Sequence, residues 1–279
     1  MRILKYRSRG PSVYILEEIL VKLGYKLNVS EYFGKDTDKA VREFQLKNNL
    51  VVDGLVGPKT WSKVIEKEQL LPKFNDKFLS EQDLIDFASE NNLELAVVKA
   101  VNEVESRGKG FFVYGKPVIL FEGHVFWRQL EKRGVSPESL LSEESKDVLY
   151  KKWTRKYYIG GEKEYSRLEK AAELLNSEDV REAAYCSASW GAFQIMGYHY
   201  KSLGYDSIDD FVSKMYDHER EHLKAFGKFI GVNYFKGKKL IDWLRDKNWA
   251  NFARAYNGPG YKENRYDSKL QNAYEKYFH

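Results

Sequence analysis

Residues 94–106, ELAVVKAVNEVES, carry the pattern from which the architecture of the longer part of the chain can be inferred. The four valines recur at the three- and four-residue spacing of an amphipathic helix, so their side chains form one apolar stripe. At roughly 100° per residue, Glu105 falls about 40° from Val101 and therefore inside that stripe. Glu103 falls on the opposite face, one turn from Lys99, where we expect an ion pair.

The two neighbouring glutamates therefore have opposite predicted environments. A carboxyl group set into an apolar wall loses hydration, which favours its protonated form, the form that a general acid needs. We interpret Glu105 as a candidate catalytic acid and Glu103 as a surface residue.

The composition is that of a folded, soluble protein with room for two domains. The 279 residues are 43% hydrophobic and 31% charged, and no apolar run approaches the roughly 20 residues needed to cross a bilayer. The basic N-terminus is interrupted by Glu17 and Glu18 before a signal-type hydrophobic core forms, so we expect no export signal. The single Cys186 excludes an internal disulfide.

The charge balance alone favours no class of partner. The net charge of +5 permits attraction to nucleic acid, a membrane surface or a bacterial wall. The 46 basic residues are interleaved with 41 acidic ones and form no arginine-rich tract. A solvated surface of mixed charge is the simplest interpretation.

The first part of the chain predicts three short helices. One covers residues 12–23 after a Gly-Pro pair, and a second covers residues 36–49, with Asp36 or Thr37 as its cap. A third begins near Pro58, since proline suits the first turn of a helix. The stretch 68–78 that follows has no periodicity, so we place a domain boundary there.

Residues 33–61, FGKDTDKAVREFQLKNNLVVDGLVGPKTW, resemble the peptidoglycan-binding repeat domain found at the ends of cell-wall hydrolases. We assign residues 1–70 to this domain and residues 71–78 to a linker. The resemblance implies five wall-binding residues in and before the DGLVGP loop: Phe33, Asp53, Gly54, Gly57 and Thr60.

Residues 79–279 predict a second domain that is rich in helices. Ser80 and Asp83 have the spacing of a capping box that opens a helix. The two β-rich runs within residues 110–123, GFFVYGKPVILFEG, predict a hairpin, and the pattern from residue 136 onward is mostly helical. The fold class is therefore mainly α (α+β), a small three-helix domain followed by a helix-rich domain with a small β-hairpin.

Three motifs of this second domain occur in the order seen in lysozyme-like muramidases and lytic transglycosylases. They are ESRG at 105–108, SWGAFQIMG at 189–197 and AYNGPGY at 255–261. Residues 104–126 together with SWGAFQIMG resemble more closely the N-acetylmuramidase domain of phage modular endolysins. The resemblance implies a lysozyme-like domain that cleaves the bond between N-acetylmuramic acid and N-acetylglucosamine.

The same resemblance implies the roles of several residues. Glu105 is the general acid, and Gln194 lies beside the cleft and hydrogen-bonds sugar. Tyr256 and Asn257 line the opposite side of the site, and Ser106 of the Glu-Ser pair belongs to the substrate-binding set.

Glu122, in ILFEGH, is the candidate second carboxylate. Its side chain is interpreted as a catalytic base, as a group that positions water or sugar, or as a partner for a neighbouring backbone group or arginine. A mechanism with one acid, in which the substrate's own hydroxyl attacks and an anhydro sugar forms, remains the alternative.

Residues 218–222, HEREH, satisfy the zinc-protease pattern H-E-x-x-H through His218, Glu219 and His222. A zinc peptidase is therefore a rival interpretation. The surrounding segment also fits one amphipathic helix, which we favour because the pattern is short. A wall-binding protein without catalytic activity is a further rival.

These motifs together predict a phage endolysin that needs no metal or other cofactor. Its expected partner is bacterial peptidoglycan, without nucleic acid binding or membrane insertion, and it is expected to be a monomer. The absence of an export signal fits a product made in the host bacterial cytoplasm and released to the wall through a separate pore.

Overall fold

The computed structural model describes residues 3–69, 77–106, 110–112 and 115–278. The chain divides into two compact units, Met1–Asp76 and Lys77–His279, and each has its own hydrophobic core. Among the described residues, no helix is both long enough and apolar enough to cross a membrane.

The first unit packs three helices around one core, as predicted. They are α1 (Pro11–Lys22), α2 (Lys35–Lys47) and α3 (Pro58–Gln69). The predicted cap of α2 is wrong, because Gly34 precedes the helix and Thr37 lies inside its first turn. The Thr37 hydroxyl instead donates to the buried Glu17 carboxylate, which also accepts a hydrogen bond from the Ser30 backbone N–H.

The second unit is mostly helical. Its α-helices are α4 (Glu81–Glu90), α5 (Leu95–Val101), α6 (Gly123–Glu131), α7 (Lys163–Ala172), α8 (Glu178–Cys186), α9 (Ile208–Asp217), α10 (Glu219–Val232), α11 (Leu240–Arg245), α12 (Trp249–Asn257) and α13 (Tyr266–Tyr277). Short 3-10 turns lie at Pro137–Leu140, Gly197–His199 and Pro259–Lys262, and a π-helical turn lies at Asn102–Ser106. The capping box before α4 is confirmed, since Ser80 and Asp83 bond each other's backbone N–H.

Three short antiparallel strands lie among these helices. They are β1 (Ile119–Phe121), β2 (Ala188–Trp190) and β3 (Ile195–Met196), in the order β1-β2-β3. A second, two-stranded sheet joins β4 (Tyr234–Phe235) to β5 (Lys238–Lys239). The mainly α fold with a small β-hairpin is therefore confirmed.

The position of the hairpin differs from the prediction. The hairpin is β2–β3, in a region where the pattern indicated helix, and β1 pairs with β2. In the predicted hairpin at 110–123 only the second run forms a strand, while Phe111 and Pro117 form an isolated bridge and residues 113–114 lie outside the described residues. The true partner of β1 lies about 70 positions further along the chain, and local periodicity does not report pairing at that range.

A buried ion pair holds the carboxyl end of β1 in place. Arg167 Nη1 lies 2.7 Å from Glu164 Oε2, and the two side chains are 2% and 0% exposed. The Glu164 carboxylate accepts hydrogen bonds from the backbone N–H groups of three residues: Phe121, Ile159 and Gly160. Arg167 donates to the carbonyls of Phe121 and Asp147. These backbone bonds offset part of the cost of removing both charges from water.

Substitution of Arg167 is expected to destabilise the second unit strongly. Arg167→Met leaves the Glu164 carboxylate buried without a cation, which costs about 3–5 kcal/mol of unfolding free energy. Urea unfolding followed by tryptophan fluorescence reports this, because five of the six tryptophans lie beyond residue 76.

The matched control is Arg181→Met, which breaks the more exposed pairs with Glu178 and Asp209. Exposed pairs contribute at most about 1 kcal/mol. Equal losses in the two variants would contradict a central role for the buried pair.

Candidate active site

The helix that carries the two glutamates changes its geometry just before them. α5 ends at Val101, and the chain continues as the π-helical turn Asn102–Ser106. The side-chain directions that we predicted from regular α-helical spacing therefore apply only as far as Val101. Even so, Glu103 is exposed and Glu105 is half-buried, so the two carboxylates separate as predicted. Single π turns inside helices occur frequently at functional sites.

Ser106 helps to close this wide turn. Its side chain is buried, and its hydroxyl donates to the backbone carbonyl of Asn102 at 2.5 Å. The predicted substrate-binding serine therefore lies against the backbone that positions Glu105.

Glu103 is a surface residue, but its partner is not Lys99. The Glu103 carboxylate accepts hydrogen bonds from Lys276 Nζ at 2.7 Å and from the Tyr277 hydroxyl at 2.5 Å. These bonds lower the pKa of Glu103. Lys99 pairs instead with Glu81 at 2.5 Å. The prediction failed because α13 packs against α5 and brings a nearer cation, which the local helical spacing does not report.

Glu105 meets a residue from the far end of the chain. Asn257 Nδ2, at the C-terminal end of α12, donates to Glu105 Oε1 at 3.1 Å. The structure therefore brings Glu105 of the ESRG motif into contact with Asn257 of the AYNGPGY motif, which the resemblance had placed on the opposite side of the same site. An amide donor holds one oxygen of the carboxyl group in a fixed direction.

Tyr256 fixes the end of α12 that carries Asn257. Its hydroxyl donates to the Phe193 carbonyl at 2.6 Å, and its ring stacks on Phe252 at a centroid distance of 5.6 Å. Burial raises the pKa of Tyr256, so the hydroxyl stays protonated. The predicted substrate-binding tyrosine thus joins α12 to the β2–β3 turn.

Gln194 lies in the β2–β3 turn with a positive φ of 49°. Its Nε2 donates to the Gly191 carbonyl at 2.8 Å and to the Val118 carbonyl at 3.2 Å, while its Oε1 accepts from the Ser189 hydroxyl at 2.7 Å. The side chain is exposed, but both protons of the amide are already used. A sugar hydroxyl would therefore have to donate to Oε1.

Glu122 immediately precedes α6 and is partly buried. Its Oε2 accepts a hydrogen bond from the Tyr158 hydroxyl at 2.6 Å and lies 3.2 Å from His124 Nδ1. Burial raises the pKa of Glu122, and the Tyr158 hydrogen bond and the Arg167 charge oppose that rise. The carboxylate is therefore harder to ionise than an ordinary glutamate, although two neighbours favour its charged form.

Sequence reasoning missed both neighbours of Glu122. His124 stands two residues further on in FEGH and could have been noticed from that spacing. Burial lowers the pKa of His124, so its imidazole is neutral. Tyr158 comes from a segment that the sequence indicated only as a break between helices, and no local signal connects it to Glu122.

The HEREH segment supports the β2–β3 hairpin. His222 is buried, its Nδ1 accepts from the Ala192 backbone N–H at 3.1 Å, and its Nε2 lies 2.7 Å from the Met215 carbonyl. Burial lowers the pKa of His222 to about 4. Gly191 packs directly on the imidazole, where a Cβ would come within 2.7 Å of the ring. Both ring nitrogens are therefore used by backbone groups.

The other two residues of that pattern are also structural. Glu219 accepts hydrogen bonds from the backbone N–H groups of Leu79 at 2.9 Å and Gly110 at 3.0 Å. His218 is extended and caps α10 by accepting from the Arg220 N–H, so the expected single helix is broken at this point. Within the part of the chain that the structure describes, no cluster of three or more His, Cys, Asp or Glu side chains could hold a metal.

The predicted wall-binding residues of the first unit mostly stabilise its own loop. Phe33 is 0% exposed and Thr60 is 6% exposed, so the structure places these two side chains in the core. Gly54 has a positive φ of 74° and donates its N–H to Gln45 Oε1. Asp53 is exposed, and Gly57 is half-buried. Only these last two of the five reach the surface of the loop.

Comparison with known proteins gives similarities to two family models and to a solved structure. A family model described as N-acetylmuramidase matches residues 94–278, and one described as a putative peptidoglycan binding domain matches residues 9–64. The structure is similar to the crystal structure of a Burkholderia AP3 phage endolysin, with 38% sequence identity, 99% of each chain covered and a TM-score of 0.65. No curated protein sequence matches the chain.

The Tyr158 hydroxyl is expected to control the ionisation of Glu122. Tyr158→Phe removes a hydrogen bond to the charged carboxylate, so the pKa of Glu122 should rise further. The measurement is a titration of the carboxyl carbon of Glu122 by NMR. Tyr157→Phe is the control, because the Tyr157 ring packs against Tyr150. A pKa of Glu122 that is equal in both variants would contradict this role.

Proposed function

The chain belongs to the N-acetylmuramidase family, and on that premise we propose that Glu105 is the general acid with which it cleaves the bond between N-acetylmuramic acid and N-acetylglucosamine. The protein is a peptidoglycan hydrolase of the muramidase type. The observation that carries the assignment of Glu105 is its hydrogen bond with Asn257, which joins two motifs that lie 152 positions apart.

The acid acts by protonating the oxygen that leaves. Glycosidic cleavage passes through an oxocarbenium-like transition state, and a carboxyl group beside the bond supplies the proton. The Asn257 amide donates to Oε1 and so fixes the orientation of the carboxyl group that carries the proton to the sugar. Tyr256 and the π-helical turn act as positioning elements, because each fixes one of the two partners in this contact.

Glu122 is proposed as the second carboxylate, acting as a base toward water. Its carboxyl group is partly accessible, and the Tyr158 hydroxyl and the Arg167 charge oppose the rise in its pKa that burial causes. Two carboxyl groups in unlike surroundings suit opposite roles in one reaction. A positioned base favours hydrolysis to a reducing sugar over the formation of an anhydro sugar, which requires one acid only.

Gln194 is proposed to contact the glycan through Oε1. Its amide is held by the hairpin backbone, so the direction of this acceptor is set before the substrate binds. Ser106 is proposed to act on Glu105 through the turn that it closes.

The first unit is proposed to hold the enzyme on the wall, with residues 1–70 as the binding domain, 71–78 as the linker and 79–279 as the catalytic domain. Asp53 and Gly57 are the candidate contact positions. We propose further that the protein is a monomeric endolysin, made in the bacterial cytoplasm and released to the wall through a separate pore. Its net charge of +5 favours adsorption to an anionic polymer.

Glu105→Gln is expected to abolish the release of reducing muramic ends, with a loss of at least about 100-fold in kcat. The measurement is mass spectrometry of the soluble muropeptides after borohydride reduction. Glu103→Gln, the matched change two residues away on the exposed face, should keep most of the activity.

Other products would point to other chemistry. Anhydro-muramic ends would contradict the role of Glu122 as base. Free peptide termini, or activity lost on addition of a chelator, would contradict muramidase chemistry and favour the HEREH segment.

Asn257→Ala is expected to lower kcat by about tenfold or more with little change in KM, because the acid loses its orientation while the sugar contacts remain. Steady-state kinetics on solubilised glycan measures both constants. Asn272→Ala, at an exposed position of α13, is the control. A raised KM with unchanged kcat would show that Asn257 binds substrate and does not orient the acid.

A further inference from the structure

The segment Tyr150–Tyr158, YKKWTRKYY, is rich in basic and aromatic residues. It has four basic residues, four aromatic residues and no acidic one within nine positions. We call it the basic aromatic loop. It lies between the Pro137–Leu140 turn and α7 and contains no helix or strand.

The four cations of the basic aromatic loop are exposed and have no counter-charge among the residues that the structure describes. Among the described residues, no carboxylate lies within ion-pair distance of these four side chains: Lys151, Lys152, Arg155 and Lys156. Other basic residues near the loop in the chain are paired with carboxylates, Lys146 with Glu143 and Lys170 with Asp147. The positive charge of the loop is therefore available to a ligand.

Aromatic rings hold several of these cations in place. Lys151 Nζ lies 5.4 Å from the centroid of the Trp127 ring, and the Arg155 guanidinium lies 5.6 Å from that of Trp153. Cation–π contacts of this kind restrict the side chains without neutralising their charge.

Both ends of the basic aromatic loop contact the neighbourhood of Glu122. Tyr158 donates its hydroxyl to the Glu122 carboxylate at 2.6 Å. The Tyr150 hydroxyl accepts from the Gly123 backbone N–H at 3.2 Å, and its ring stacks near His124 at 6.4 Å. The loop is therefore joined at both ends to the segment that presents one candidate catalytic carboxylate.

Trp153 stands at the centre of the basic aromatic loop and is 58% exposed. An indole ring in water presents a flat apolar face, which suits stacking on the apolar face of a sugar. An exposed tryptophan among unpaired cations fits a ligand that has both sugar rings and negative charge.

We propose that the basic aromatic loop is a substrate subsite in which Trp153 stacks on a sugar of the glycan and the four cations bind carboxylates that the muramyl residues carry. In an intact wall these carboxylates stand on the peptide stems, and in a stripped glycan they are the lactyl groups. The proposal rests on the proposed function, because it assumes that peptidoglycan is the substrate. It makes charge on the polymer a determinant of affinity.

A cycle of changes in enzyme and substrate tests the charge contact. The enzyme variant replaces Lys151, Lys152, Arg155 and Lys156 by Gln, and the altered substrate is wall sacculi whose carboxyl groups have been converted to methylamides. On native sacculi the variant should raise KM about tenfold. On amidated sacculi the KM of the wild type should already be raised. The variant should raise KM there by less than about twofold more, because both changes remove the same interaction.

The matched control removes the same charge elsewhere in the second unit. Lys201, Lys214, Lys228 and Lys239 are exposed and are replaced by Gln together. This control should keep KM on native sacculi within about twofold of the wild type. If the control raises KM as much as the loop variant, or if the loop variant has the same effect on native and amidated sacculi, the charge contact is overturned.

Removal of the stems with an amidase identifies the source of the carboxylates. If the loop variant and the wild type have the same KM on the stripped glycan, the contact is with the stems. If the variant still has the higher KM, the contact is with the lactyl groups. Either result supports binding of substrate carboxylates by the loop.

Trp153→Ala tests the stacking contact separately. This substitution should raise KM on native sacculi and on amidated sacculi by the same factor, because stacking does not depend on charge. An unchanged KM on both overturns this part. If the wild type releases no reducing ends from native sacculi, the proposed function itself fails. If the wild type releases them and the variants have the same KM as the wild type, only the subsite is overturned.

Discussion

The buried pair of Glu164 and Arg167 is the interaction on which the geometry around Glu122 depends. Both polar backbone groups of Phe121 bond to this pair, so the residue immediately before Glu122 is fixed from two sides. The same pair holds the backbone at Ile159, next to the tyrosine that donates to Glu122. The Arg167 charge also favours the ionised form of Glu122. One buried pair therefore sets the position of this carboxylate, while its two charges act on the pKa of Glu122 in opposite directions.

On the other side of the site, Glu219 and His222 match a catalytic pattern in the sequence but have structural roles in the fold. The Glu219 carboxylate accepts a hydrogen bond from the backbone N–H of Gly110, a short distance along the chain from Glu105. His222 bonds the backbone of Ala192 in the hairpin turn that also contains Gln194. A histidine whose two ring nitrogens serve backbone groups has no lone pair to offer a metal. The zinc-like pattern is thus explained by the packing of α10 against the hairpin.

The surroundings of the two candidate carboxylates match the polymer on which the enzyme acts. Glu105 lies on a wide helical turn and is oriented by a neutral amide, whereas Glu122 is flanked by a tyrosine hydroxyl and a neutral imidazole. Beyond Glu122 the basic aromatic loop adds positive charge and an exposed indole. A polymer of sugars that carries carboxylates can make contacts of each kind, as we propose for Glu105, Glu122 and the loop.

Much of this protein was readable from sequence because it depends on neighbours a few residues apart. Helical spacing, the Ser80 capping box and the separation of Glu103 from Glu105 are all local features, and the mainly α fold followed from them. The resemblance of the motifs also implied that Glu105 and Asn257 belong to one site. The structure alone placed the hairpin at β2–β3, gave Glu103 its partner Lys276 and brought Tyr158 to Glu122. These contacts join residues that are distant in the chain, and they form only when the packing of apolar faces brings whole helices and loops together. Local periodicity therefore determined the elements, while the packed core determined which polar groups meet in the site.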